Sequence, residues 1–467
     1  MSERAAAFTT RWGMMLAMLG MAVGTGNIWR FPRVAATNGG GSFLVAWVLF
    51  LLLWSVPLIL VEFAMGKKVR CGPVGGFAKL CGPRFAWMGA WVAWTSVAIM
   101  FYYAVVTGWT LRYLWAGVAG ELPGGDPAAV WSAFAFRPPV IFFQALAMAL
   151  GLWVVARGVR GIEAATRVLM PTLFVLVIVL AIRAVTLPGA ERGLTFLFTP
   201  SLDGLANYRT WLEALTQNAW DTGAGWGLVL TYAAYLRRRE DTALNSFMLG
   251  FGNNSVSLMA GIMVLCTVFS IRPDAAGEIV GAGNEGLTFL WIPQLFAAMP
   301  AGRLFMILFF LALFFAALTS LISMIELATR VLADAGVRRS TALALVGAIG
   351  FLLGLPSALS QAVFQNQDFV WGVGLMVSGL FFAVAVLRYG VTRFRETLIN
   401  TEDADIRIGR WWDWAIRFVV LEALALVVWW VWQVRAEPLF GRYGLGTVAL
   451  QWGAALAAFL ALNRRLA

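Results

Sequence analysis

GMAVGTGNIWRFP, residues 20 to 32, puts three glycines, an asparagine and an arginine inside a run that is otherwise apolar enough to cross a membrane. An unpaired backbone group in hydrocarbon costs several kcal/mol, so irregular chain survives at membrane depth only where protein buries it or where it lines a cavity. Glycines let the chain unwind and approach a ligand closely. The two half-helix ends left by such a break offer N–H groups to an anion and carbonyls to a cation. Asn27 adds a neutral oxygen of the kind that hard cations accept. The competing reading is that GTG only permits tight helix packing, as small residues do in membranes. A second glycine-rich break, WDTGAGWG at Trp220 to Gly227, favours the unwound reading, because it stands at the matching place in the second half of the chain.

Composition fixes the solvent. Of 467 residues 61% are hydrophobic and 13% charged, with 23 Trp and 34 Phe, which describes a polytopic, all-α membrane protein. A crossing helix needs about 20 apolar residues, and the sequence predicts twelve spans: 12–36, 42–66, 87–111, 140–156, 168–185, 211–236, 244–271, 304–332, 342–355, 370–387, 418–434 and 447–462. The first run is too long for a cleavable signal and no small-residue cleavage site follows it. Most of the Lys and Arg fall on one side of this arrangement, among them Lys67, Lys68, Arg70, Arg157, Arg160, the run Arg237 to Arg239, Arg338, Arg339, Arg464 and Arg465. That side is therefore cytoplasmic and both termini lie there. The formal charge of +11 is spread over loops rather than gathered into one groove, which argues for anionic lipid and against nucleic acid as the partner.

The chain has no histidine and three cysteines, Cys71, Cys81 and Cys266. No disulfide is expected, two thiols ten residues apart make a poor zinc site, and no catalytic constellation suggests an enzyme. Spans one to five (12–185) match spans six to ten (211–387) in length, and each set opens on a broken helix. Five is an odd number, so the two sets enter the membrane from opposite sides. The expected organisation is a cytoplasmic segment 1–11, a first repeat 12–185, an extracellular connection 186–210, an inverted second repeat 211–387, and two further helices within 388–467. Inverted repeats led by broken helices mark secondary transporters with a site at the bilayer midplane.

At these residues the chain resembles the neurotransmitter:sodium symporters, in particular their bacterial amino-acid-transporting members with the LeuT-type fold. That family is one of the cases from which the rule about inverted repeats was drawn, so the agreement is not independent of it. The resemblance runs through GMAVGTGNIWRFP, NGGGSF at Asn38, PLILVEFAMG at Pro57, YYAVVTGWTL at Tyr102, RGIEAATRVLMPTLF at Arg160, LTFLFTP at Leu194, GWGLVLTYAAY at Gly225 and FFAALTSLIS at Phe314. It implies sodium-coupled symport of a neutral amino acid by alternating access in a bacterial inner membrane, with no organic cofactor. It also implies two sodium sites. One has the carbonyls of Gly20, Val23 and Ala316 with the hydroxyls of Thr319 and Ser320. The other has the Ala22 carbonyl, Asn27, Asn253 and Asp221. The substrate carboxylate would meet the Tyr103 hydroxyl and the amides of Thr25 and Gly26, with Met21, Ile99, Trp220, Gly223, Trp226, Ser320 and Met324 lining the remainder. Relatives that carry amines place an acidic residue where this chain has Gly24, which favours an amino acid here.

By the same resemblance Arg30 and Asp368 form an outer gate. Asp334 matches the inner-gate carboxylate, but Ala5 stands at the usual arginine position, leaving Arg4 as the candidate partner, and Phe8 replaces a tryptophan. Chloride-dependent members bind the anion with two hydroxyls, a Gln and a Tyr. Here Gln217 and Ser257 match, Trp47 takes the Tyr position, and Asp221 puts a fixed anion where a hydroxyl would be, so transport is expected to be chloride-independent. Two alternatives stay open: a proton-coupled carrier on the same fold, with Asp221 carrying the proton, and a symporter of another zwitterion such as a betaine or taurine.

Overall fold

The computed structural model describes residues 7–237, 240–402 and 404–466. Ten unbroken helices are long and apolar enough to cross a membrane: Gly41–Val69, Pro83–Ala119, Pro139–Ala156, Gly158–Val185, Thr242–Ile271, Gly302–Asp334, Arg339–Leu359, Gln361–Tyr389, Trp411–Gln433 and Leu445–Leu466. Two interrupted helices, the first and sixth in order, complete the expected twelve among the described residues. Buried share sorts them into layers. The third span is 83% buried and the eighth 72%, so these stand at the centre, whereas the twelfth is 6% buried and lies at the edge.

Each interruption has a local cause. The first helix, Arg11–Ala22, starts at Thr10, whose hydroxyl accepts the Gly13 N–H at 3.0 Å. It stops where Val23 turns extended, at ψ 106°, and the chain resumes as a π-helical turn, Gly26–Arg30, leading into Phe31–Thr37. Pro32, which has no N–H to give, follows this π turn directly, where the regular i→i−4 ladder is already interrupted. The sixth span is Tyr208–Asp221, then a break, then Leu228–Ala233. In that break Gly223, Gly225 and Gly227 take φ of 72°, 85° and 76°, a region that side-chain-bearing residues rarely enter. The freed N–H groups are not orphaned. Glu62, fully buried on the second span, accepts from Gly225 at 2.7 Å and Leu230 at 3.1 Å.

Several helices outrun the apolar windows. The fifth span begins at Gly158 rather than 168, because Arg160, Glu163 and Arg167 continue the helix beyond the hydrocarbon. The tenth begins at Gln361 rather than 370 for the same reason. Between the seventh and eighth spans an unexpected run of short helices, including Ala276–Gly281 and Ile292–Ala297, brings Asn284 and Glu285 over the centre of the molecule.

Candidate functional site

Both breaks open onto one cavity of about 90 Å³ at the centre of the bundle. Met21, Ala22 and Gly24 to Asn27 of the first break line it, together with Trp220, Asp221, Gly223 and Trp226 of the second. Tyr103 of the third span and Ser320 and Met324 of the eighth close the sides. Of the expected substrate contacts, Ile99 alone stays outside. It is fully buried one turn from Tyr103, on the helix where Ser96 holds the Trp226 carbonyl at 2.6 Å.

The polar end of the cavity is made by backbone and one phenol. Thr25 donates to the Tyr103 oxygen from its N–H at 3.1 Å and from its hydroxyl at 3.2 Å. Receiving both, the phenol has its own proton to donate, and Ser320 stands beside it in the cavity wall. Trp220 and Trp226 meet edge to face at 6.1 Å in another part of the wall, and Arg30, Asn284, Glu285 and Asp368 line the cavity as well.

Two groups of oxygens lie beside the polar end. In the first, Ser320 Oγ lies 3.3 Å from the Val23 carbonyl, and Thr319 Oγ1 lies 3.1 Å from the Ala316 carbonyl. Thr319 also donates to Phe315 within its own helix at 2.9 Å, the ordinary habit of a membrane threonine, but its lone pairs stay available. Gly20 sits in the last helical turn before the break, packed on Thr166 and Met170 of the fifth span. In the second group Asn27 accepts from the Gly24 N–H at 2.8 Å and donates to Asn253 Oδ1 at 3.0 Å and Ser257 Oγ at 2.8 Å. Asp221 accepts through Oδ2 from Gln217 and Ser257, both at 3.1 Å, while its Oδ1 is buried without a partner. A buried carboxylate oxygen left bare needs a cation or a proton. No Lys or Arg pairs with Asp221 among the described residues, so a cation entering from the cavity fits this vacancy in the bonding.

No cluster of three or more His, Cys, Asp or Glu suited to a metal occurs among the described residues. The donors here are carbonyls, hydroxyls, amides and one carboxylate, a set for a hard monovalent ion rather than zinc. Burial raises the Cys71 thiol and pushes Cys81 up to about 11, so neither offers a ready thiolate.

Outside the cavity lies a wider space of about 380 Å³, lined in part by Arg30, Arg33, Glu213, Glu285 and Asp368. Arg30 does not pair with Asp368 here. It donates to Gln217 Oε1 at 2.6 Å and lies 5.6 Å over the Trp220 ring. Where the described N-terminal residues meet the end of the sixth span, the bundle is tightly packed: Phe8 is 3% exposed and packs on Tyr232 and Tyr235 at 6.1 and 6.4 Å. Asp334 receives Arg330 at 2.8 Å and the Gly72 N–H at 2.6 Å, and Arg4 lies outside the described residues. Two features were not singled out from the sequence. Tyr235 and Arg339 converge on buried Glu326 at 2.5 and 2.6 Å, and the one available signal was an acidic residue in the apolar run SMIELA. Asn284, held by Arg33 at 2.6 Å, had no such signal, since its segment shows no periodicity.

Comparison with known proteins agrees with this geometry. The sequence model of the sodium:neurotransmitter symporter family matches residues 5–135 and 139–465. An uncharacterized sodium-dependent transporter of Bacillus subtilis, YhdH, is 33% identical over 440 residues, 89% of this chain and 95% of its own. The sodium-dependent serotonin transporter of Drosophila melanogaster is 28% identical over 82% of this chain and 70% of its own. The crystal structure of MhsT in complex with L-phenylalanine superposes with a TM-score of 0.80 at 30% identity, covering 91% of this chain and 99% of that one. Likeness of this extent, over a bundle with two interrupted spans, makes the chain a member of the sodium:neurotransmitter symporter family, an integral membrane protein that shares its fold with MhsT.

Proposed function

We propose that this protein moves a neutral amino acid into a bacterial cell together with sodium bound at two sites, independently of chloride, with both termini in the cytoplasm. One observation carries the reading. The unwound stretch from Gly24 to Asn27 and the Tyr103 phenol line the same cavity as Asp221, whose Oδ1 has no protein partner. An anion at the first and a cation at the second stand within one small space. The substrate carboxylate completes the shell of the sodium held by Ala22, Asn27, Asn253 and Asp221, so each ligand raises the affinity of the other. A second sodium, held by Gly20, Val23, Ala316, Thr319 and Ser320, ties the first break to the eighth span. Met21, Trp220, Trp226 and Met324 suit an apolar side chain, and L-phenylalanine, with which MhsT was crystallised, is the first candidate to test.

Asp221 replaces chloride by simple electrostatics. Opposite unit charges about 4 Å apart at an effective dielectric of about 20 attract by about 4 kcal/mol, so a fixed carboxylate supplies what a bound anion otherwise would. The test is uptake of labelled neutral amino acids into proteoliposomes under imposed sodium or proton gradients, with chloride or gluconate outside. Uptake driven by sodium and indifferent to chloride is expected, with Asp221→Ser impaired and partly rescued by chloride. Uptake that a proton gradient drives with sodium absent, or that collapses in gluconate, overturns this reading.

A further inference from the structure

The cytoplasmic end of the first span is held by a carboxylate that neither the ion sites nor the expected inner gate employs. Glu163, near the start of the fifth span, is 2% exposed. Its oxygens accept from the Thr9 N–H and hydroxyl at 2.7 and 2.6 Å, and from the Thr10 N–H and hydroxyl at 3.1 and 2.9 Å. Arg167, one turn further along, reaches Glu163 at 2.5 Å and Thr10 Oγ1 at 2.7 Å. Gly13 makes this approach feasible, since a Cβ there would stand 2.0 Å from Glu163 Oε1. The carboxylate therefore lies against the bare backbone of the first helical turn, where unpaired N–H groups leave a partial positive charge. Hydrogen bonds of this kind, with an ionised partner, are about twice as strong as neutral ones.

The same contact runs on toward the site. A Cβ on Gly20 would stand 3.2 Å from Met170 and 3.3 Å from Thr166 of the fifth span. One face of Arg11–Ala22 is thus seated along the fifth span, from its Glu163-bound start to the glycine beside the proposed second sodium site. Arg237 binds the Thr9 carbonyl and Phe8 fills the aromatic notch, so this end of the half-helix is also the cytoplasmic plug. Asp334, the carboxylate expected to hold it, is occupied by Arg330 and Gly72.

We propose that Glu163 is the cytoplasmic latch of this chain, a positioning residue that seats the first half-helix on the fifth span while the inner side is shut. Its release from Thr9 and Thr10 frees the half-helix and opens the second sodium site to the cytoplasm. The consequence for sodium rests on the symport reading above; the seating of the half-helix does not. The test is hydrogen exchange of the purified full chain in sodium or potassium, following segments 9–22, 228–237, 208–221 and 302–334. In the native chain, sodium slows exchange over 9–22 and 228–237. Glu163→Gln speeds exchange over those two segments about tenfold, the equilibrium change that corresponds to one lost hydrogen bond to a charged group. It also abolishes their sodium response, leaves 208–221 and 302–334 as in the native chain, and is partly reversed in Glu163→Asp. Thr9→Ala, which keeps the carboxylate and removes one donor, acts in the same direction. Exchange over 9–22 that is unchanged in both Glu163→Gln and Thr9→Ala overturns the proposal, as does an equal rise across 302–334 in both. A native chain that ignores sodium while Glu163→Gln still frees 9–22 upholds the latch and overturns the sodium coupling.

Discussion

A side chain at position 24 would place its Cβ 2.8 Å from Ser320 Oγ and 3.0 Å from the Tyr103 oxygen. The glycine is thus a matter of space as much as of flexibility, and the room it leaves belongs to the ligand. Gly24→Ala is expected to weaken substrate binding about 10- to 100-fold, since overpacking costs about 1–3 kcal/mol. Thermal stabilisation by sodium alone should fall but not vanish, because the new Cβ crowds Ser320 of the proposed second site and touches no ligand of the first; equilibrium binding of labelled substrate with melting curves in sodium reads both. Tyr103→Phe removes a donor to a charged group, worth about 1.5–3 kcal/mol, and should raise the KM for uptake about 10- to 100-fold. An unchanged KM would place the substrate carboxylate elsewhere. At this scale the sequence was informative where chemistry and backbone coincide: Thr25, Asn27, Asp221 and Ser320 lie at breaks or face them. It misled at Ile99, which shares a helix face with Tyr103 but is fully buried and does not line the cavity.

The broken spans work as elements because other elements satisfy what they leave open. Glu62 serves Gly225 and Leu230, and Ser55, on a π-helical turn of the second span, lies 3.2 Å from Asn218 and 3.0 Å from Thr222 just before the break. Glu62→Gln keeps one acceptor and turns an amide donor toward a backbone donor. Each hydrogen bond to a charged group is worth about 1.5–3 kcal/mol, so this variant should lose that much stability or more and melt several degrees lower. Differential scanning fluorimetry checks this, and an unchanged melting temperature would mean that the break holds its shape unaided. The elements themselves were legible from hydropathy, whereas their ends were not. Apolar windows mark the hydrocarbon, and helices such as Gly158–Val185 run on through Arg160, Glu163 and Arg167 into the interface, where polar residues cost little. The short helices between 276 and 297 were missed because their apolar residues follow the surface they cover rather than a helical period.

For the whole molecule, one end of the bundle is packed shut and the other is not locked by an ion pair among the described residues. Phe8, Glu163 and Glu326 are buried at the first, while at the second Arg30 rests on Gln217 and Trp220 instead of Asp368. If Arg30 and Asp368 form the outer gate, closing it has a defined cost: Arg30 gives up its bond to Gln217 and takes Asp368 in exchange. A charged pair in so confined a space is worth more than an exposed one, because less water screens it. Either single reversal, Arg30→Asp or Asp368→Arg, sets like charges against each other and should abolish uptake. The double reversal restores opposite signs and should recover a measurable part of it, at most a fraction, because Gln217 and Trp220 stay arranged for an arginine at position 30. Gln217→Ala separates the two partners of Arg30 further, since it removes the competitor and leaves Asp368. It should favour the closed outer side, lowering the rate of uptake while tightening substrate binding. Uptake assays paired with equilibrium binding decide this: no recovery in the double reversal, together with unchanged binding in Gln217→Ala, would show that these charges do not meet at any stage of the cycle.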